Sequence, residues 1–176
     1  MIRTTIYGIG LATLFFGSGA IATSITEPTF IPMSSDISSH TVKIAQSTIN
    51  TAAIEQSVFT QINNYRSSKG LPKLTRNSAI DNQARIHSQN MASGKVAFGH
   101  TGFQERLKAI GISYRGAAEN VAYNQGYSDP ATQAVQGWLK SPGHLANIVG
   151  NYNLTGVGVA SNSKGQIYFT QIFLRT

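Results

Sequence analysis

The hydrophobic pattern changes period near the C-terminal end, and that change restricts the fold more than any other feature. From Ile54 onward the apolar residues recur at helical spacing. Ile54, Val58, Ile62 and Tyr65 form one stripe, which Gly70 and Pro72 end. A second stripe, Ile80, Ala84, His87 and Met91, follows a cap at Asn77-Ser78 and closes at Gly94. Phe103, Leu107 and Ile110 predict a third, short helix ending at Gly111. Asp129-Pro130 opens a fourth, with the acid as cap and the proline at the first helical position. Its buried face is Ala134, Val135, Trp138 and Leu139, and Ser141-Pro142-Gly143 breaks it. The period then drops to two. In 154–160, Thr155, Val157 and Val159 share one face. Gly156, Gly158 and Ala160 share the other, where another element must approach the backbone closely. The run 166–174 is apolar on both faces and reads as a central strand, joined to the first by a hairpin loop over 161–165. Helices first and an antiparallel hairpin last predict an α+β domain over 54–176, with helices on both faces of a sheet.

The preceding residues read differently. Arg3 is followed by an apolar run from Ile6, and Ala20-Ile21-Ala22 has the small-x-small form of a signal-peptidase site. Residues 1–22 are therefore expected to be a signal peptide. The alternative is a retained anchor, although about 17 Gly-rich residues fall short of the roughly 20 that a span wants. Either way the rest of the chain is exported, to the cell envelope or beyond, with no transmembrane span after processing. Residues 23–53 hold 12 Ser or Thr, two prolines and only scattered apolar residues. Such a segment buries too little surface to offset its ordering entropy and is expected to be a disordered linker.

Charge and cysteine content narrow the function classes. The chain carries 14 Lys+Arg against 7 Asp+Glu, for a net +7. Within 54–176 there are 12 basic and 5 acidic residues, so the excess belongs to the predicted domain. A basic surface favours anionic partners, and export makes those an anionic cell-wall component or lipid, not nucleic acid. The absence of cysteine removes disulfides, thiolate metal sites and a cysteine nucleophile together. Oligomeric state is left open.

The candidate chemistry rests on three residues. His87 lies on the apolar stripe of the second helix and reads as a core histidine. His100 sits between glycines in Phe98-Gly99-His100-Thr101-Gly102, and His144 follows Ser141-Pro142-Gly143 at the mouth of a helix start. Glu119 lies among small and apolar neighbours in 117–122, where an acid needs a partner. Two imidazoles and a carboxylate could bind a zinc-like ion, or form a metal-free hydrogen-bonded cluster. Ser141 lies too close to His144 in sequence for a serine nucleophile and is better explained as part of a helix stop.

Six ordered motifs give these residues a context. They are Ala84-x-x-His87-Ser88-x-x-Met91, Gly99-His100-x-Gly102-Phe103-x-x-Arg106-Leu107, Ala118-Glu119-Asn120-Val121-Ala122, Trp138-Leu139-x-Ser141-Pro142-Gly143-His144-x-x-Asn147-Ile148, Gly156-Val157-Gly158-Val159-Ala160 and Tyr168-Phe169-Thr170-Gln171-Ile172-Phe173. In this order they resemble the CAP superfamily, or SCP domain, of cysteine-rich secretory proteins, antigen 5 and pathogenesis-related proteins, in its short cysteine-free bacterial branch. The resemblance covers nearly all of 54–176. It implies a three-layer α-β-α sandwich around a central, mainly antiparallel sheet. It also implies a cleft where two His and two Glu meet and can take a divalent metal such as zinc. His100, Glu119 and His144 match three of the four. The second acid, which usually follows the fourth helix's Trp, has no counterpart in Leu139, Lys140 or Ser141.

The expected function is an exported, non-enzymatic binding module for a lipid or cell-wall component, with no required cofactor. The alternative is a metal-assisted hydrolase using His100, Glu119 and His144, with Glu119 as general base.

Overall fold

In the computed structural model, the described residues are 2–4 and 49–176. Most of the predicted leader and linker, 5–48, lies outside them. The two C-terminal runs form the predicted hairpin. Strand β4 (Leu154–Ser161) pairs antiparallel with β5 (Gln166–Arg175), from Leu154 opposite Leu174 to Ser161 opposite Ile167. On its other side β5 pairs antiparallel with β3 (Gly116–Gln125) along the whole length of that strand. β5 is thus the centre of the sheet, as its two apolar faces require. Two short strands complete the described sheet in the order β1-β3-β5-β4-β2. β1 (Ile2–Thr4) runs parallel to β3, and β2 (Thr75–Arg76) parallel to β4. The long strands are antiparallel and only the short outer pairs are parallel, so the sheet is mixed.

Helices cover both faces. α1 (Thr51–Ser68), α4 (Pro130–Lys140) and α5 (Pro142–Ile148) pack on one side around Trp138, Phe169 and Phe173, all with 0% of their surface exposed. α2 (Ser78–Ala92) and α3 (Phe103–Ile110) cover the other through Ile80, Ala84, Phe103 and Leu107 against Ile172 and Leu174. The starts of α2 and α4 follow the sequence cues, whereas α1 begins at Thr51, three residues ahead of the expected boundary at 54. Asn50, Asn77 and Asp129 each accept a backbone N–H in the first turn of α1, α2 and α4. Ser141 closes α4 and also opens α5, with Pro142 in the new first turn, so Ser-Pro-Gly starts a helix as well as stopping one.

The glycine face of β4 meets α2. A Cβ on Gly156 would overlap the backbone at Ile80 and Asp81, and one on Gly158 would overlap Ala84 and Arg85. The helix axis therefore lies closer to the sheet than any side chain at those positions would allow.

Charges close the outer side of β4. Glu55 of α1, buried, receives Arg76 at 2.9 Å and Arg85 at 2.6 Å, while Arg76 also holds Asp81 of α2. The two carboxylates accept backbone N–H groups of β4. Asp81 takes Val157 at 2.8 Å, and Glu55 takes Val159 at 3.3 Å. Arg66 plays the converse part at the other end of α1. Its buried guanidinium donates to the carbonyls of Pro72, Ile148, Gly150 and Tyr152, tying α1 to the loop after α5.

Candidate functional site

Glu119 sits in the middle of β3 and is fully buried. Strand alternation points neighbouring residues to opposite faces. Glu119 therefore turns toward the α2–α3 layer, and Asn120 toward the α4–α5 layer.

His100 reaches Glu119 directly. The loop between α2 and α3 carries it, with Gly99 and Gly102 in positive-φ conformations on either side. Its Nδ1 lies 2.9 Å from Glu119 Oε1. A carboxylate only accepts, so Nδ1 carries the proton and donates it.

Arg106 of α3 completes this cluster. Its Nε donates to Glu119 Oε2 at 3.0 Å, and its Nη2 lies 2.8 Å from both carboxylate oxygens. Its Nη1 donates to Thr101 O at 2.7 Å and to His87 Nδ1 at 3.0 Å. Arg106 is 7% exposed, so the pair is removed from water.

His87 is a core histidine, as its place on the α2 stripe predicts, and it also belongs to this cluster. Its Nε2 lies 2.7 Å from Gly99 O. A carbonyl only accepts and a guanidinium only donates. Nε2 must therefore carry the proton and Nδ1 must not. Both contacts require one neutral tautomer. Burial pushes the His87 pKa below its ordinary value, Glu119 opposes that shift, and Arg106 adds to it.

His144 approaches β3 from the α4–α5 side. The residue is 2% exposed, and its ring lies 6.5 Å, centroid to centroid, from that of Trp138. Asn120 Nδ2 donates to the His144 carbonyl at 3.2 Å, and Asn147 Nδ2 donates to Asn120 Oδ1 at 2.8 Å. The structure thus joins His100 to Glu119 by a direct side-chain bond. It joins His144 to the adjacent residue of the same strand through its backbone.

Sequence reasoning missed the role of Arg106 and the link from His87. The signal was present. Arg106 falls within the Phe103, Leu107, Ile110 stripe of α3, and a charge on a buried stripe needs a buried partner.

The donor set sets limits on the chemistry. Both oxygens of Glu119 face a guanidinium. A divalent cation there would have to displace Arg106 or stand beside its positive charge. Among the described residues, no three His, Cys, Asp or Glu side chains are placed to hold a metal ion.

The model of the cysteine-rich secretory protein family, CAP, matches residues 59–173. The chain belongs to the CAP family. The uncharacterized protein YkwD of Bacillus subtilis (strain 168) is 34% identical to this CAP chain over 128 residues, spanning 70% of the chain and 48% of YkwD. Among solved structures, an extracellular protein containing a SCP domain from Bacillus anthracis str. Ames matches 72% of the chain and 41% of its own length. It is 28% identical, with a TM-score of 0.63. An outer surface protein from Borrelia burgdorferi, at 18% identity and a TM-score of 0.62, covers 72% of this chain and 96% of its own, and shares the fold. The CAP chain spans about half the length of the curated relative and less of the Bacillus anthracis structure. It has the bacterial, cysteine-free form of the domain. No helix among the described residues is long and apolar enough to cross a membrane.

Proposed function

We propose that this protein is an exported CAP domain that works at the cell envelope as a binding module, not as an enzyme. The observation that carries the reading is the Arg106–Glu119 pair. A general base needs a carboxylate oxygen free to take a proton from water or substrate. Here Arg106 covers both oxygens and His100 takes one of them again. The carboxylate is neutralised and holds His100 and α3 in place. The missing second acid points the same way, because paired carboxylates are what acid–base chemistry would use.

Three features support export: the apolar leader with its small-residue site, the Ser/Thr-rich stretch after it, and the extracellular or outer-surface descriptions of two structural relatives. Removing the leader, or holding it in a membrane, takes Ile2–Thr4 away from the sheet and makes β3 its edge. The basic domain then favours an anionic lipid or cell-wall polymer.

The test is retention of the protein recovered from an exporting host on cell-wall and lipid-vesicle preparations across a salt series. The reading expects retention at low salt that weakens as salt rises. Flow-through on every preparation at low salt overturns it. The hydrolase alternative is tested in parallel on peptide, ester and glycan substrates, with zinc and with chelator. Turnover lost in both His144→Ala and Glu119→Gln would replace the binding reading.

A further inference from the structure

A second surface, on the same face of the sheet as α2 but at the other end of the hairpin, has its own chemistry. The C-terminal end of α2 and the β4–β5 hairpin enclose a groove of about 620 Å³. That lies within the range of about 300–1,000 Å³ typical of ligand sites. Its walls include Gln89, Ser161, Asn162, Lys164, Gln166 and Tyr168, and no Asp or Glu.

Tyr168 begins a row of aromatic rings. It stacks on Tyr123, its registered partner across β3 and β5, at 5.6 Å and 24°. Phe98 meets Tyr123 edge-on at 5.1 Å. All three are only partly buried. The stack holds the Tyr168 ring rigid, so little entropy is lost when a ligand packs against it. The polar wall is also fixed in advance. Asn162 Nδ2 donates to Gln166 Oε1 at 2.7 Å, Tyr168 OH donates to the same oxygen at 3.3 Å, and Asn162 Oδ1 accepts the backbone N–H of Lys164 and of Gln166.

We infer that this groove binds a glycan strand, with one sugar ring packed on Tyr168 and its hydroxyl or amide groups bonded to the Asn162, Gln166 and Gln89 wall. The lining discriminates among the ligand classes. A lipid chain needs a continuous apolar channel, and in these walls the apolar Met91, Ala92 and Ala160 are interrupted by the amides and hydroxyls of Gln89, Ser93, Ser161, Asn162 and Gln166. A nucleic acid or other polyanion needs several cations along its track, and Lys164 is the one basic residue of the lining. A β-linked sugar has flat C–H faces and a rim of hydroxyls, which suits an aromatic platform bordered by side-chain amides. This inference rests on the binding-module reading and adds to its salt-sensitive anionic partner a second, uncharged ligand class held at a separate site. It places that ligand away from His100 and Glu119, so the two can fail separately.

The probe is a β-1,4-linked N-acetylglucosamine hexamer. It is titrated into the exported protein, with amide chemical shifts followed by NMR at low and at high salt. The largest shifts are expected at residues 161–168 and 89–94, little changed by salt. Tyr168→Ala should weaken binding about tenfold or more, Tyr168→Phe should retain most of it, and Ser163→Trp, on the exposed hairpin, should obstruct the groove without touching the core. Lys140→Ala, exposed at the end of α4 on the opposite face of the sheet, should leave the affinity unchanged. Trp138 fluorescence checks that the Tyr168 variants are folded, and amide chemical-shift dispersion does so for Ser163→Trp, which carries a second tryptophan. No shifts at millimolar hexamer, equal affinity in Ser163→Trp, or binding abolished by salt overturns the inference. Shifts centred on His100 and Glu119 would overturn it too, while leaving the binding-module reading in place.

Discussion

Arg106→Met tests how much the domain depends on one buried ion pair. The wild-type guanidinium makes three contacts with Glu119 and one each with Thr101 O and His87 Nδ1. With a methionine there, the stem volume stays but the charge and all five contacts go. Glu119, with no exposed surface, keeps the His100 imidazole as a side-chain donor but loses its counter-charge. Breaking a buried pair from one side costs about 3–5 kcal/mol, because the partner remains as an uncompensated charge. Arg106→Lys keeps the charge but loses the planar fork and should cost about 1–2 kcal/mol. Glu119→Gln keeps one acceptor for His100 and should fall between the two. The decisive quantity is the double variant, Arg106→Met with Glu119→Gln. Removing the charge on both sides removes the penalty, so it should be less destabilised than the sum of the singles by about 2 kcal/mol. Urea unfolding at neutral pH, read by Trp138 fluorescence, measures all four proteins. For a slope near 2 kcal/mol/M, the single methionine variant should lose about 2 M in midpoint. A loss below about 1 kcal/mol in Arg106→Met, with additivity in the double variant, would refute the buried-pair argument.

Three further outcomes are expected. His87 is held neutral with its folded pKa depressed, so the unfolded chain binds more protons just below the ordinary value near 6.5. Stability should therefore fall as pH drops from that value toward the depressed one, and the slope there should be smaller in His87→Gln, as measured by urea midpoints between pH 7 and 5. Gly158→Ala puts a methyl into the α2 backbone, which has no flexible end to move aside, and should cost about 3 kcal/mol in thermal unfolding. Asp129→Ala removes the cap of α4 and should cost about 1 kcal/mol at neutral pH. Hydrogen bonds from Thr132 hold the Asp129 carboxyl below its ordinary range, so the wild-type advantage should disappear once acid protonates it.

The layers were legible where a residue's size or shape could serve only one arrangement. β5 is apolar on both faces and proved to be the central strand. Gly156 and Gly158 announced a close neighbour, which is α2. Trp138, Phe169 and Phe173 formed the core. β3 was not read as a strand, because Gly116 to Gln125 is made of small and polar residues with weak strand preference. Its place comes from pairing along β5 and from helices on both sides, both of them non-local. The candidate site was legible in part for the same reason. Glycines around His100 marked a loop built to aim a side chain. The partner of Glu119 could not be found from local spacing, since Arg106 lies on α3, in a different element from strand β3 and 13 residues away in sequence. Ser141-Pro142-Gly143 was legible both as the break after α4 and as the mouth of the next helix, because a proline suits either a break or a first turn.

The carboxylates of Glu55 and Asp81 have a consequence beyond holding α1 and α2 together. β2 shields only Leu154 and Thr155 of β4, which would leave the rest of that strand's outer amides ready to recruit another chain. The N–H groups of Val157 and Val159 instead end on buried acids that two arginines hold in place. An incoming strand would find those donors already committed and charged side chains across its path. On that side the sheet has a chemically sealed border, so self-templated stacking of unfolding intermediates must start somewhere else. Replacing Glu55 by glutamine would weaken that seal and should show as faster aggregation on mild heating, before any change in secondary structure.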